Sequence, residues 1–126
     1  MAFRTPKATV RGYGTGHSGT HHWWAQRITS VALIPLTFLF AIPFVGALGD
    51  GYEGVIALYS HPFHAIVAAL FLAVTFHHHA QGLQVVIEDY IHHRGWRTVA
   101  LLGNVFLCFV LGFAGVFAVL KIAFTG

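Results

Sequence analysis

Three long apolar runs, at 28–48, 62–87 and 99–124, dominate the pattern of this 126-residue chain, and the segments between them are short and more polar. Each run reaches or exceeds the roughly 20 residues with which an α-helix crosses the hydrocarbon of a bilayer. The pattern therefore predicts an all-α integral membrane fold with three transmembrane helices. The first run, ITSVALIPLTFLFAIPFVGAL, holds Pro35 and Pro43, which predict kinks of the kind membrane helices tolerate. The second would reach roughly 40 Å as a helix, so it is predicted to tilt or to project beyond the lipid. Residues 1–27 are polar and glycine-rich without helical periodicity; they read as an N-terminal arm, and 28–126 as the transmembrane domain. No apolar core closely follows the first methionine, so a cleaved secretory signal is not expected.

Composition sharpens this picture. The chain is 56% hydrophobic and 9% charged, too little charge to cover a water-soluble domain, and its mean hydropathy of +0.70 agrees. The net charge of +3 is small and dispersed, which excludes nucleic acid as a partner. Cys108 is the single cysteine; it permits no intrachain disulfide and no thiolate metal site, and reads as a packing residue.

Charge distribution predicts orientation. Arg4, Lys7, Arg11 and Arg27 precede the first run, and Arg94 and Arg97 lie between the second and third. The linker between the first two runs has neither lysine nor arginine, and only Lys121 lies near the C-terminus. The positive-inside rule puts the N-terminus in the cytoplasm and the C-terminus outside. Trp23, Trp24, Tyr52, Tyr59, Tyr90 and Trp96 fall near span ends, where an aromatic belt is expected. Three helices close a poor bundle, and Gly103, Gly112, Ala114, Gly115 and Ala118 in the third run permit close helix approach, so partner subunits are expected.

The candidate chemistry lies in the second run, which ends TFHHHAQGLQVVIEDYIHH. An ionisable group inside a bilayer is costly and marks a functional site by default. Imidazole can be neutral there, and it is the usual axial ligand of haem iron. Successive helical residues turn by about 100°, so His77, His78 and His79 fan across about 200° and cannot all address one ligand. Gly82 lies one turn beyond His78, where it leaves room for a flat macrocycle against the backbone; Gln81 and Leu83 would crowd one at His77 or His79. Val85 and Asp89 share the face of His78. Asp89 is about 16 Å further along, beside Tyr90, whose phenol can donate a hydrogen bond to a carbonyl oxygen such as that of a quinone. On the residues alone, plainer roles stay open: an interfacial histidine with ordinary partners, a belt tyrosine, an aspartate that ends a helix.

Two blocks carry a resemblance. HHAQGLQVVIEDY, from His78 to Tyr90, and GTHHWWAQRITSVAL, residues 19–33, resemble the D-type membrane-anchor subunits of succinate dehydrogenase, respiratory complex II. Span number, order of motifs and total length are similar as well. The resemblance implies a three-helix subunit of the bacterial inner membrane that pairs with a C-type cytochrome b anchor subunit and docks an iron–sulfur subunit and a flavoprotein subunit that oxidises succinate. It implies one haem b shared between histidines of the two anchors, with His78 the iron ligand here and His21 and Arg27 near the haem propionates. It further implies that Tyr90, supported by Asp89, binds ubiquinone. The enzymatic activity belongs to the complex, with none expected from this chain alone.

Rival readings have their own signals. His64 and His78, fourteen residues apart on nearly one face and about 21 Å apart, suit a dihaem cytochrome b. A quinol:fumarate reductase anchor would share the same motifs. Ten histidines raise a di-iron membrane hydroxylase, against which the boxes lack the usual spacing and lie at opposite ends of the second run. An anchor with no cofactor would leave His78 structural. The pair His92–His93 has no role implied by the resemblance, beyond loop residues or a proton relay.

Overall fold

The structure, a computed structural model, describes residues 5–11 and 18–125; Arg4, counted above toward the basic N-terminal side, lies outside them. The elements are α1 (Pro6–Arg11), α2 (Ser18–Leu48), α3 (Gly51–Ser60), α4 (Pro62–Tyr90) and α5 (Arg94–Thr125), with no strand among the described residues. Three of them, α2, α4 and α5, are long and apolar enough to cross a membrane. At 31 residues α2 spans about 45 Å, so it overshoots the hydrocarbon, and it runs unbroken through Pro35 and Pro43.

Three segments differ from the expectation, the shortest being Pro6–Arg11, which forms α1 within the stretch read as an irregular arm. Residues 18–27, read as part of an irregular arm, are the first turns of α2. Histidines, tryptophans and an arginine obscure the apolar pattern there, yet past Gly19 nothing breaks a helix, and continuing it satisfies the backbone internally. The linker at 49–61 contains α3, ten residues long and too short to be noticed by a spanning criterion. Gly51 has φ +67°, a left-handed value that glycine adopts without steric cost, and it turns the chain from α2 into α3. At the other end His61 caps α4, its Nδ1 accepting the Phe63 N–H at 3.3 Å, with Pro62 at the first helical position, where its missing N–H costs nothing.

The central element is α4. Helix α5 packs along one flank and α2 along the other, while no Cα atom of α2 comes within 8 Å of one in α5; α3 touches all three at the end where α2 stops and α4 starts. The small core lies there. Tyr59, Ala65, Ala68 and Val119 are buried together, with Phe40, Phe44 and Leu72 against them, and Phe40 stacks on Phe71 at 4.4 Å. Desolvation pushes the Tyr59 phenol pKa above its usual value, so the group stays neutral. Of the small residues noted in the third run, Gly112 and Gly115 face α4; Ala114 and Ala118 are exposed. Elsewhere large apolar side chains such as Phe106, Phe109 and Phe117 are exposed, as lipid-facing or subunit-facing surfaces are. Three helices in a row enclose no interior between α2 and α5, so the flank of α4 facing α2 opens into a cleft.

Candidate functional site

That cleft, about 500 Å³, is lined from α2 by Gly19, His22, Trp23, Gln26, Arg27 and Ser30, and from α4 by His78 and Val85. The α2 residues follow helical spacing: His22, Gln26 and Ser30 are one turn apart, as are Gly19, Trp23 and Arg27, and such rows lie on one face. The first turns of α2 thus carry a polar face into an otherwise apolar helix, and they do so at the level of the α4 histidines. The end of the molecule opposite α3 holds the start of α2 and the end of α4, since neighbouring spans run in opposite directions.

His78 is half-buried and is contacted at both ring nitrogens from α2. Its Nδ1 lies 2.9 Å from the Thr29 hydroxyl, and its Nε2 lies 3.4 Å from the Gln26 amide nitrogen. A methyl group at Gly82 would stand 3.4 Å from that same amide, so Gly82 faces the cleft together with His78 and Val85. Four polar atoms among the described residues are buried with no hydrogen-bond partner: Thr75 Oγ1 and Gln81 Oε1 on α4, and His22 Nε2 and Gln26 Oε1 on α2. Buried polar atoms are rarely left so, and the two on α2 belong to the cleft lining. Arg27 is held over the Trp23 ring at 5.3 Å, a cation–π contact that keeps a positive charge at the cleft.

The neighbouring histidines point elsewhere, as the fan of about 100° per residue requires. His77 is exposed and lines an apolar groove of about 390 Å³ between α4 and α5, with Phe76, Cys108, Phe109 and Phe113. His79 is exposed. Of the pair at the start of α2, His22 faces the cleft, while His21 is exposed and outside its lining. Residue pattern could have found this: His22 shares a face with Gln26, Thr29 and Ser30, whereas His21 shares one with Ala25 and Ile28. Thr29, Gln26 and Ser30 went unnoticed because none is ionisable.

Asp89 and Tyr90 end α4, and both are exposed, Tyr90 to 79%; by helical rise they lie about 16–18 Å along α4 from His78. They are therefore not brought into the cleft. Of the two loop histidines, His93 caps α5: its Nδ1 accepts the Trp96 N–H at 3.4 Å. His61 and His64 sit together, rings 5.5 Å apart, near the start of α4. Among the described residues no three His, Cys, Asp or Glu side chains gather as a metal-binding set.

Comparison with known proteins gives a consistent picture. Residues 1–119 match the family described as succinate dehydrogenase/fumarate reductase transmembrane subunit. The chain is 35% identical over 121 residues to a succinate dehydrogenase hydrophobic membrane anchor subunit of Paracoccus denitrificans, covering 96% of this chain and 93% of that protein. It is 33% identical over 101 residues to the protein of the same name from Rickettsia bellii (79% and 80%), and 27% identical over 110 residues to that of Rickettsia conorii (86% of each). No solved structure matches. With three helices suited to crossing a bilayer and a family match over nearly its whole length, the chain is a multi-pass membrane protein that belongs to the succinate dehydrogenase/fumarate reductase transmembrane subunit family.

Proposed function

We infer that this chain is the membrane anchor of a succinate:quinone oxidoreductase, and that its α2–α4 cleft is one half of a haem b site completed by a C-type cytochrome b anchor. The observation that carries the reading is His78: an imidazole deep in a transmembrane helix, its Nδ1 engaged by Thr29 and its Nε2 turned toward the cleft side chains.

The residues suit the group. A b-type haem needs an imidazole nitrogen with a free lone pair, a flat space beside it, and cations or donors for its two carboxylates. His78 Nε2 offers the first, and the glycine at 82 keeps the α4 surface low beside it. Arg27, braced on Trp23, offers the cation, and charge-assisted hydrogen bonds to a carboxylate are the strong ones. The unpartnered His22 Nε2 offers a further polar contact, the role expected above of His21. When bound, haem supplies a one-electron redox centre within the membrane.

The quinone end of the reading rests on Tyr90 and Asp89. An exposed phenol at the end of a spanning helix suits a surface covered by another subunit and reached by a lipid-soluble quinone. Tyr90 donates a hydrogen bond to a quinone carbonyl oxygen; the Asp89 carboxylate orients that phenol and accepts protons from the loop. The iron–sulfur and flavoprotein subunits dock at this end, which the positive-inside rule puts on the cytoplasmic side of the bacterial inner membrane, with the C-terminus periplasmic. Electron flow from succinate to ubiquinone is the direction supported by relatives named for succinate dehydrogenase.

The test is a reduced-minus-oxidised spectrum of the complex purified through this chain, in wild type and in His78→Leu. The reading expects a b-type spectrum that disappears or changes ligand field in the variant. A b-type spectrum identical in both would move the iron ligand away from His78.

A further inference from the structure

We propose that Thr29 is the positioning residue of the His78 imidazole: it fixes the tautomer that leaves Nε2 free and raises the ring's strength as a ligand. The inference rests on the reading of His78 as an iron ligand and goes beyond it.

The argument begins with one hydrogen. A threonine hydroxyl carries a single proton and two acceptor lone pairs. The Thr29 proton is committed to its own helix, where Oγ1 donates to the Ala25 carbonyl at 2.8 Å, with the Gln26 carbonyl at 3.1 Å. With that donation in place, the hydroxyl meets His78 Nδ1, at 2.9 Å, as an acceptor. In this arrangement Nδ1 carries the ring proton, and the neutral imidazole presents an unprotonated Nε2. In that tautomer the Gln26 amide nitrogen, 3.4 Å from Nε2, faces the lone pair as a donor. A ligand on Nε2 takes the place of that amide.

The consequence is electronic as well as geometric. An acceptor on the distal N–H of a ligating histidine fixes ring orientation and increases ligand basicity, and removing such a partner is felt at the metal. A more basic imidazole favours ferric over ferrous iron. The contact also ties α2 to α4 at the level of the histidine turn, so the ring is held by a helix other than its own.

The experiment uses the whole complex with Thr29→Val, which keeps shape and removes the acceptor, and Thr29→Ser, which keeps it. The readouts are haem content, the haem midpoint potential from an optical redox titration, and the low-spin ferric electron paramagnetic resonance spectrum. Thr29→Val is expected to raise the midpoint potential and shift the resonance, or to lose haem outright, and Thr29→Ser to restore wild-type values. Haem retained in Thr29→Val with wild-type potential and resonance overturns the proposal, and so does equal haem loss from both variants. His78→Leu separates the two levels: a spectrum untouched by it defeats the ligand assignment itself. Haem lost from His78→Leu beside a wild-type Thr29→Val defeats only the role of Thr29.

Discussion

The Asn104 side chain donates from its amide nitrogen to the backbone carbonyl of Ala80 at 2.8 Å, joining α5 to α4 two residues beyond His78. Asn104 is the buried polar side chain of α5 among the described residues, and its Oδ1 accepts the Cys108 thiol at 3.4 Å. In lipid, apolar surface gives helices no reason to associate, so packing and interhelical hydrogen bonds decide. Asn104→Leu removes one such bond while the Ala80 carbonyl keeps its helical partner. The expected cost is about 1 kcal/mol, read as earlier loss of haem absorbance and of helicity when the detergent-solubilised complex is heated. The b-type spectrum at low temperature should be unchanged, because Asn104 supports α4 from the flank opposite the cleft.

Tyr90→Phe tests the quinone end by itself. The phenol is exposed at the end of α4 and has no packing duty in this chain. Loss of one hydrogen bond to a bound carbonyl, about 1.4 kcal/mol, corresponds to about a tenfold fall in quinone reductase activity. Succinate oxidation with a soluble artificial acceptor should stay at the wild-type level. A parallel fall in both activities would make Tyr90 a docking residue for the soluble subunits and remove it from the quinone site.

The two histidines at the start of α2 should behave differently. His22 lines the cleft and holds a buried ring nitrogen without a partner; His21 is exposed. His22→Leu is therefore expected to lower haem content or shift its midpoint potential, and His21→Ala to leave both as in wild type. The reverse result would restore the His21 role that the family resemblance implies, through a conformation of α2 rotated by about 100°.

These contrasts show what the sequence made legible. The three spans were plain because each apolar run meets the length set by the bilayer, and the face of His78 followed from helical rotation together with Gly82. The start of α2 was hidden because its cleft-facing residues are mixed with His21, Trp24 and other outward residues, which blurs any periodicity. Helix α3 was hidden because ten residues cannot span, although its Gly51 turn and His61–Pro62 stop are both written in the sequence. Thr29 could not be singled out, since its importance comes from α2 packing against α4 at that depth, a relationship between segments 49 residues apart. His93 had no assignable role until the loop placed its ring beneath the first turn of α5.

The packing of α5 on α4 gives the last prediction. A methyl group at Gly112 would stand 3.1 Å from Phe76 Cβ, closer than comfortable van der Waals contact, and Phe76 precedes the histidine row. Gly103, one helix face away, has nothing within 4 Å of such a methyl. Overpacking a tight site costs about 1–3 kcal/mol, so Gly112→Leu should push α5 off α4, tilt the histidine turn and lower the yield of assembled complex. Gly103→Leu should assemble as wild type if its surface meets lipid. Blue-native electrophoresis of the solubilised membranes reads both. Assembly lost with Gly103→Leu as well would mean that this face of α5 is covered by another subunit, because lipid would accommodate the added side chain and a packed helix would not.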